Sequence, residues 1–315
     1  MRVIRVSRFG NPDVLEPVEL PTPEPAAGEL RVDVTAAGVG WLDALIRRGD
    51  GPAEFGVEPP YVPGGSVAGT VDAIGAGVDE TWLGTRVIAR AAGRYGGGYA
   101  DTVISTPELT FAIPDGLDSQ HAVAMFDDGS TALALLERTP VKAGERVLVS
   151  PGVGGLGSLL VQLVRGAGAT ALAAVRGEEK AAIARKLGAE PVDYSDGTLV
   201  VGERPDVVFD GVGGTLGASA LALLADGGRF SGFGMSSGAP TEIGAADRER
   251  LTVVGMEQLT EFWPETPRRV REMLRRAADG VLTPVIGRTY PLADAAAAHA
   301  DIDARQYVGK NLLVP

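Results

Sequence analysis

Residues 147–158 read VLVSPGVGGLGS, and residues 159–168 continue as LLVQLVRGAG. An apolar run, Val147-Leu148-Val149, precedes Gly152, Gly154 and Gly157 in G-x-G-x-x-G spacing; Leu159, Leu160, Leu163 and Val164 then recur at helical spacing. Each glycine has a task in such a strand, turn and helix. The first lets the chain turn sharply out of the strand, the second lets backbone approach a pyrophosphate, and the third lets the helix lie close to the sheet. Free N–H groups at the helix N-terminus face the phosphates, where the macrodipole also favours negative charge. A dinucleotide is the expected ligand of Gly152, Val153, Gly154, Gly155, Leu156 and Gly157.

With 44 glycines in 315 residues, chance produces this spacing easily, so its context has to decide. The signature asks for a second strand ending in a discriminating residue roughly 20 positions on. Ala171-Leu172-Ala173-Ala174-Val175 is that strand, and Arg176 closes it. An NAD-binding chain would carry Asp or Glu there for the ribose hydroxyls; a guanidinium, with its planar fork of donors, suits a 2′-phosphate. Lys180 follows one helical turn later and adds charge. NADPH (NADP+) is therefore expected over NADH. The plainer reading of Arg176 is a solvated loop residue, and Glu178 and Glu179 suit the first turn of the next helix.

Length and composition agree with two domains of about 100–200 residues each. Hydrophobic residues make up 45% of the chain, no apolar run is long enough to cross a bilayer, and MRVIRVSRFG at the N-terminus has no apolar signal core. The expectation is a cytoplasmic enzyme without a membrane partner. A net charge of -12 argues against nucleic acid as a partner. Zero cysteines excludes disulfides, thiolate-bound zinc and thiol catalysis.

Along the chain, residues 1–118 show short strand patterns such as LRVDVTAAGV (30–39) and SVAGTVDAIGAGV (66–78), broken by proline and glycine. From Ser119 the texture changes to alternating helices and apolar strands: a helix over Thr131 to Glu137, strands near 147, 171, 191, 206 and 228, and helices between them. That alternation predicts an α/β fold with a doubly wound parallel sheet. DVVFDGVGG (206–214) and GGRFSGFGMSSG (227–238) read as buried strands ending in glycine-rich turns. Ligands of such sheets lie beyond the carboxyl ends of the strands, which puts Gly211, Val212, Gly232, Phe233 and Gly234 toward the nicotinamide half.

In order along the chain, AAGVGWLDALIRRG (36–49), VPGGSVAGTVDAIGAGV (62–78), GGYADTVI (97–104), GSTALALLE (129–137), the glycine loop, KLGAEPVDY (186–194), DVVFDGVGG and YPLADAAAAHADIDARQYVGKNLLVP (290–315) carry a family likeness. The chain resembles the medium-chain dehydrogenase/reductase superfamily, in its zinc-free quinone oxidoreductase branch. The resemblance implies a GroES-like β-rich substrate domain (1–118 and 262–315) and a Rossmann doubly wound cofactor domain (119–261). It also implies that Tyr194, after the third Rossmann strand, and Lys310, in the final Gly309-Lys310 pair, contact the cofactor. The stretch Leu251 to Met256 resembles the strand that pairs across a dimer axis in the family, so a homodimer is expected.

Zinc-dependent relatives use Cys, His and Glu ligands, whereas the histidines here are His121 and His299 only, neither with ligand-spaced companions. The resemblance then implies metal-free hydride transfer to a hydrophobic quinone or α,β-unsaturated carbonyl, for which the protein supplies positioning, water exclusion and one or two donors to the developing oxyanion. Two alternatives stay open. One is a redox-inactive NADP(H)-binding member, a sensor or a redox-neutral cyclase or isomerase; the other is a zinc-free alcohol dehydrogenase.

Substrate-side candidates lie where this chain departs from the family. Gly40 replaces the usual Asn, Trp41 follows it as a possible aromatic wall or a core residue, Asp43 is retained, and Leu45 replaces a frequent Tyr. The acidic pair Asp127-Asp128 precedes Gly129-Ser130-Thr131, so Asp127 is a candidate acid while Asp128 or Ser130 would cap the helix from Thr131. Tyr61 is a candidate phenol donor, and Tyr95 and Tyr99 flank three glycines on a loop placed to close over the cleft.

Overall fold

A computed structural model describes residues 1–92 and 95–315. The chain forms two compact units, Met1–Asp127 with Val270–Pro315, and Asp128–Arg269.

In the first unit the alternation of Leu30–Val39 buries Leu30, Val32, Val34 and Ala36, leaving Asp33 and Thr35 exposed. This strand is the hub of a seven-stranded sheet. Lys310–Val314 and Val67–Ile74 flank it antiparallel, and Thr102–Ser105 pairs with its first half. The path continues through Arg86–Ala89 to Thr110–Ala112, and on the other side to Ile286–Pro291. A separate ribbon pairs Arg2–Val6 with Leu15–Glu19, as the apolar and basic alternation of the N-terminus suggests. The core gathers Val3, Leu30, Val67, Val103, Tyr99 and Leu313. Burying such side chains is worth about 1.5–3 kcal/mol each, which is what holds short, turn-rich strands together.

The second unit carries a six-stranded sheet in which every pair is parallel: Glu190–Asp193, Thr170–Val175, Arg146–Ser150, Val207–Asp210, Arg229–Gly232 and Thr252–Val254, in that spatial order. In chain order this is 3-2-1-4-5-6, the doubly wound arrangement. Its order reverses between Arg146–Ser150 and Val207–Asp210, where ligands of such sheets bind. The inner strands are buried along almost their whole length, so they read as short apolar runs without alternation.

Two expectations about local structure need correction. The helix expected from Thr131 starts at Ser119 and runs unbroken to Arg138, so Asp127, Asp128 and Ser130 lie inside it and cap nothing. Its start is marked by Asp118, whose carboxylate accepts the His121 N–H at 2.9 Å. Gly129 and the two acids interrupt the apolar periodicity without interrupting the backbone. Between Glu190–Asp193 and Val207–Asp210, residues 194–206 form no helix; the segment holds glycine and proline, and Val200 within it is exposed. Among the described residues no helix is long and apolar enough to cross a membrane.

Candidate functional site

The glycine loop joins Arg146–Ser150 to the helix Gly155–Gly166, and its three glycines meet different surroundings. A Cβ on Gly152 would lie 2.4 Å from the Ala173 Cβ and 2.6 Å from its Cα, so this turn is pressed against the neighbouring strand. On Gly157 it would lie 1.9 Å from the Pro151 carbonyl oxygen, which is how the helix gets so close to the loop. On Gly154, at the helix N-cap, the nearest atom would be the Pro151 Cγ at 3.9 Å. Space is open there, in front of N–H groups without intrahelical partners, and this is the cradle an anionic pyrophosphate needs.

At the end of Thr170–Val175, Arg176 is exposed and its guanidinium lies 5.3 Å from the centre of the Tyr194 ring. Glu178, one of the two acids close behind, is engaged elsewhere, in a 2.6 Å ion pair with Arg185. Lys180 sits half-buried on the helix Glu178–Lys186. The structure thus brings Arg176 and Tyr194 together at the edge where an adenosine ribose would lie, and the donor set fits a 2′-phosphate.

Beyond the switch point, Gly211 and Gly234 are glycine because two turns touch. A Cβ on Gly211 would meet the Phe233 ring at 2.5 Å, and one on Gly234 would meet the Gly211 carbonyl oxygen at 2.6 Å. Asp210, which the sequence reading passed over, latches the first of these turns. Its buried carboxylate accepts the Val212 N–H at 3.0 Å, the Gly213 N–H at 3.2 Å and the Thr241 hydroxyl at 2.5 Å. Burial pushes this carboxyl up from its ordinary value against those donors. The signal was present: an Asp ending a strand before a glycine turn is a common way to tie off backbone N–H groups.

A second polar region belongs to the first unit. Trp41 opens the helix Trp41–Arg48 and packs partly buried against the core; Asp43, two residues on, is almost fully buried. The Asp43 carboxylate accepts the Gly40 N–H at 2.8 Å and the Tyr95 hydroxyl at 2.8 Å. Burial pushes Asp43 up, opposed by those two donors and by the nearby Lys310 charge. Lys310 is 7% exposed on Lys310–Val314, and a Cβ on Gly40 would come within 3.7 Å of its Nζ. Tyr61 carries a buried hydroxyl without a hydrogen-bond partner, and burial together with the Asp43 charge raises its phenol well above the ordinary value.

Asp127 forms an ion pair with Arg90, a residue the sequence reading did not single out, and the Arg90 guanidinium also lies 5.3 Å from the Phe126 ring centre. The Asp127 carboxylate is thus engaged by a guanidinium from within the helix. Arg90 and Tyr95 line a concavity of about 220 Å³ with Phe55, Gly65, Ala91, Gly96 and Leu109. The Phe55 and Tyr95 rings lie 5.1 Å apart on its wall. Tyr99, expected on a closing loop, is 0% exposed and belongs to the core. Its backbone is tied to both sides, the N–H donating to the Pro63 carbonyl and the carbonyl accepting from Ile4, and Gly98 and Ala100 on either side are buried with it.

Known proteins resemble this chain along its length. The family model for the alcohol dehydrogenase GroES-like domain matches residues 26–115, and that for a zinc-binding dehydrogenase matches residues 187–313. A 2-haloacrylate reductase of a Burkholderia species is 32% identical, with 98% of each chain covered. A quinone oxidoreductase of Pseudomonas aeruginosa is 31% identical over 99% of each. Among solved structures, a mycobacterial protein complexed with NADPH aligns over the whole of both chains at 32% identity and a TM-score of 0.87. The chain belongs to the medium-chain dehydrogenase/reductase superfamily, in its quinone oxidoreductase-like branch.

The GroES-like and Rossmann architectures of that superfamily are the two units described above. His299 is wholly buried and hydrogen-bonded, His121 lies against Asp118, and among the described residues no group of three or more His, Cys, Asp or Glu is placed to hold a metal.

Proposed function

We propose that the chain is an NADPH-dependent reductase that works without zinc and reduces a quinone or an α,β-unsaturated carbonyl. The observation that carries the reading is the open cradle at Gly154 together with Arg176 beside Tyr194: room for a pyrophosphate at a helix N-terminus, then a cation where the adenosine ribose would end. The mycobacterial relative, solved with NADPH, supports the cofactor, and the names of the haloacrylate and quinone enzymes support an activated, electron-poor acceptor.

When bound, NADPH supplies the hydride. The chain's own groups then have to hold the cofactor, exclude water and meet negative charge as it develops on the acceptor oxygen. Gly154 and the N–H groups after it hold pyrophosphate, and Arg176, with Lys180 on the following helix, holds the 2′-phosphate. In the first unit the concavity offers an apolar and aromatic wall, Phe55, Tyr95 and Leu109, with the Arg90 guanidinium among them. That composition suits a compact, flat acceptor whose oxygen gains charge.

The test is loss of NADPH absorbance with a panel of quinones, enones and simple alcohols. Turnover with quinones or enones, unchanged after dialysis against a chelator, is expected. Tight NADPH binding without oxidation by any acceptor sinks the reductase reading, and loss of turnover on chelation sinks zinc independence.

A further inference from the structure

The two polar side chains on the wall of the first unit's concavity are each backed by a carboxylate. Tyr95 donates its hydroxyl to Asp43 at 2.8 Å, and Arg90 is ion-paired with Asp127. Arg90 is also held through its backbone: its N–H donates to the Leu109 carbonyl at 3.1 Å, and its carbonyl accepts the Ser105 hydroxyl at 2.6 Å. Its guanidinium lies 5.3 Å from the centre of the Phe126 ring, next to Asp127 on the helix Ser119–Arg138. The other described residues of the wall, Phe55, Gly65, Ala91, Gly96 and Leu109, carry no charge.

This pairing sets the charge that a molecule in the concavity meets. A guanidinium alone on an apolar wall is a carboxylate receptor, because its planar fork of donors matches two oxygens. With Asp127 against it, the cation is cancelled, and a second carboxylate brought to Arg90 meets Asp127 as a like charge. Solvent screens this only in part, since the two side chains are 23% and 30% exposed. A carboxylate entering from water therefore gives up hydration and gains no net counter-charge. An uncharged carbonyl, ester or amide gives up far less.

We propose that Asp127 is a specificity-determining residue: by pairing with Arg90 it cancels the cation on the acceptor-side wall, so that the concavity takes uncharged acceptors and rejects those carrying a carboxylate. Asp127 acts through Arg90, as a filter on charge. Its place in turnover rests on the reductase reading above; its effect on which small molecules the concavity binds does not.

Two measurements keep those claims apart. Benzamide and benzoate, alike in shape and different in charge, are titrated into the full chain and followed by the NMR shifts of the Phe55 and Tyr95 rings. Wild type should bind benzamide at least about tenfold tighter than benzoate. Asp127→Asn, which leaves the Arg90 charge uncompensated, should shift that ratio toward benzoate by about tenfold. Arg90→Gln, which leaves the Asp127 charge instead, should shift it the other way, and the double variant, with neither charge, should match wild type. For the functional arm, kcat/KM is measured with an aryl enone carrying a carboxylate and with its methyl ester, and the acid-to-ester ratio should follow the same order across the four proteins. No oxidation of NADPH by these or by any quinone sinks the reductase reading and leaves the binding arm to decide. A wild type that prefers benzoate, the same ratio in wild type and both single variants, ring shifts with neither probe, or equal changes in Asp127→Asn and the double variant overturns the filter.

Discussion

The cradle of the second unit and the polar cluster of the first are built on opposite plans. Around Gly154 the working groups are backbone N–H donors, presented by a strand, a turn and a helix that follow one another within residues 146–166. Around Asp43 the working groups are mostly side chains, Tyr95 and Lys310 beside the Gly40 backbone N–H, assembled by a sheet whose central neighbours come from opposite ends of the chain. A backbone site is sensitive to added volume and indifferent to most side-chain chemistry. A side-chain site is sensitive to single atoms, because each buried polar group left without its partner costs about 1–3 kcal/mol.

Substitutions that treat neighbouring glycines alike separate the two plans, and Gly157→Ala has the largest expected effect. Its methyl would sit 1.9 Å from the Pro151 carbonyl oxygen, a backbone atom that moves only if the loop and helix part. Destabilisation of about 3 kcal/mol is expected in denaturant unfolding, at the upper end for overpacking, with NADPH binding lost as the loop shifts. A variant of wild-type stability would mean that the helix does not depend on that approach.

Acid should expose the side-chain plan instead. In the unfolded chain His299 would titrate near 6.5, and in the fold burial holds it at about 3, so as pH falls the unfolded state takes up the proton first. This contribution is complete above about pH 6.5 and is lost progressively on the way down to about 3. Between about pH 7 and 5 wild type should lose about 2 kcal/mol more stability than His299→Gln. Parallel pH curves for the two proteins would show that His299 protonates equally in both states.

What could be read in advance follows the same division. VLVSPGVGGLGS announced the strand, the turn and the helix behind it, because these parts are local and glycine spacing records where backbone must approach something. Asp43, Trp41, Lys310 and Tyr61 were noticed as residues, but their association was not legible: nothing in residues 41–61 reveals that Tyr95 arrives beside Asp43. Arg47 and Arg90 were missed because an arginine in sequence reads as surface, and only a carboxylate supplied from Asp303 or Asp127 makes its burial affordable. The acidic pair misled for a related reason. Asp127-Asp128 looks like a helix start when the helix is taken to be short, whereas in a helix from Ser119 to Arg138 it is an interior pair, one member of which meets Arg90.

At the cradle's far edge the expected effect is smaller. Arg176→Ala should weaken NADPH by about tenfold relative to NADH, about 1.4 kcal/mol, while leaving stability near wild type, since the guanidinium is exposed and its ring contact with Tyr194 is a surface one. Titration of both cofactors against the two proteins measures it, and an unchanged ratio would assign the 2′-phosphate to another group.

Gly154→Ala is the sharpest probe because almost nothing in the fold should notice it. The residue's φ of -73° is ordinary for alanine, and the added methyl would find no neighbour nearer than 3.9 Å, so the stability cost should stay below about 1 kcal/mol, the part due to a poorer N-cap. The same methyl projects into the open space in front of the helix N–H donors, where a pyrophosphate has to come within hydrogen-bond distance of backbone. NADPH affinity should therefore fall about fivefold, about 1 kcal/mol, with a thermal midpoint close to wild type. Gly157→Ala and Gly154→Ala then form a pair in which the chemistry of the change is identical and only the occupant of the space differs: protein in one case, ligand in the other. If Gly154→Ala binds NADPH as wild type does, the opening above it is not where the phosphates lie, and the cradle must be sought among the other N–H groups of the loop.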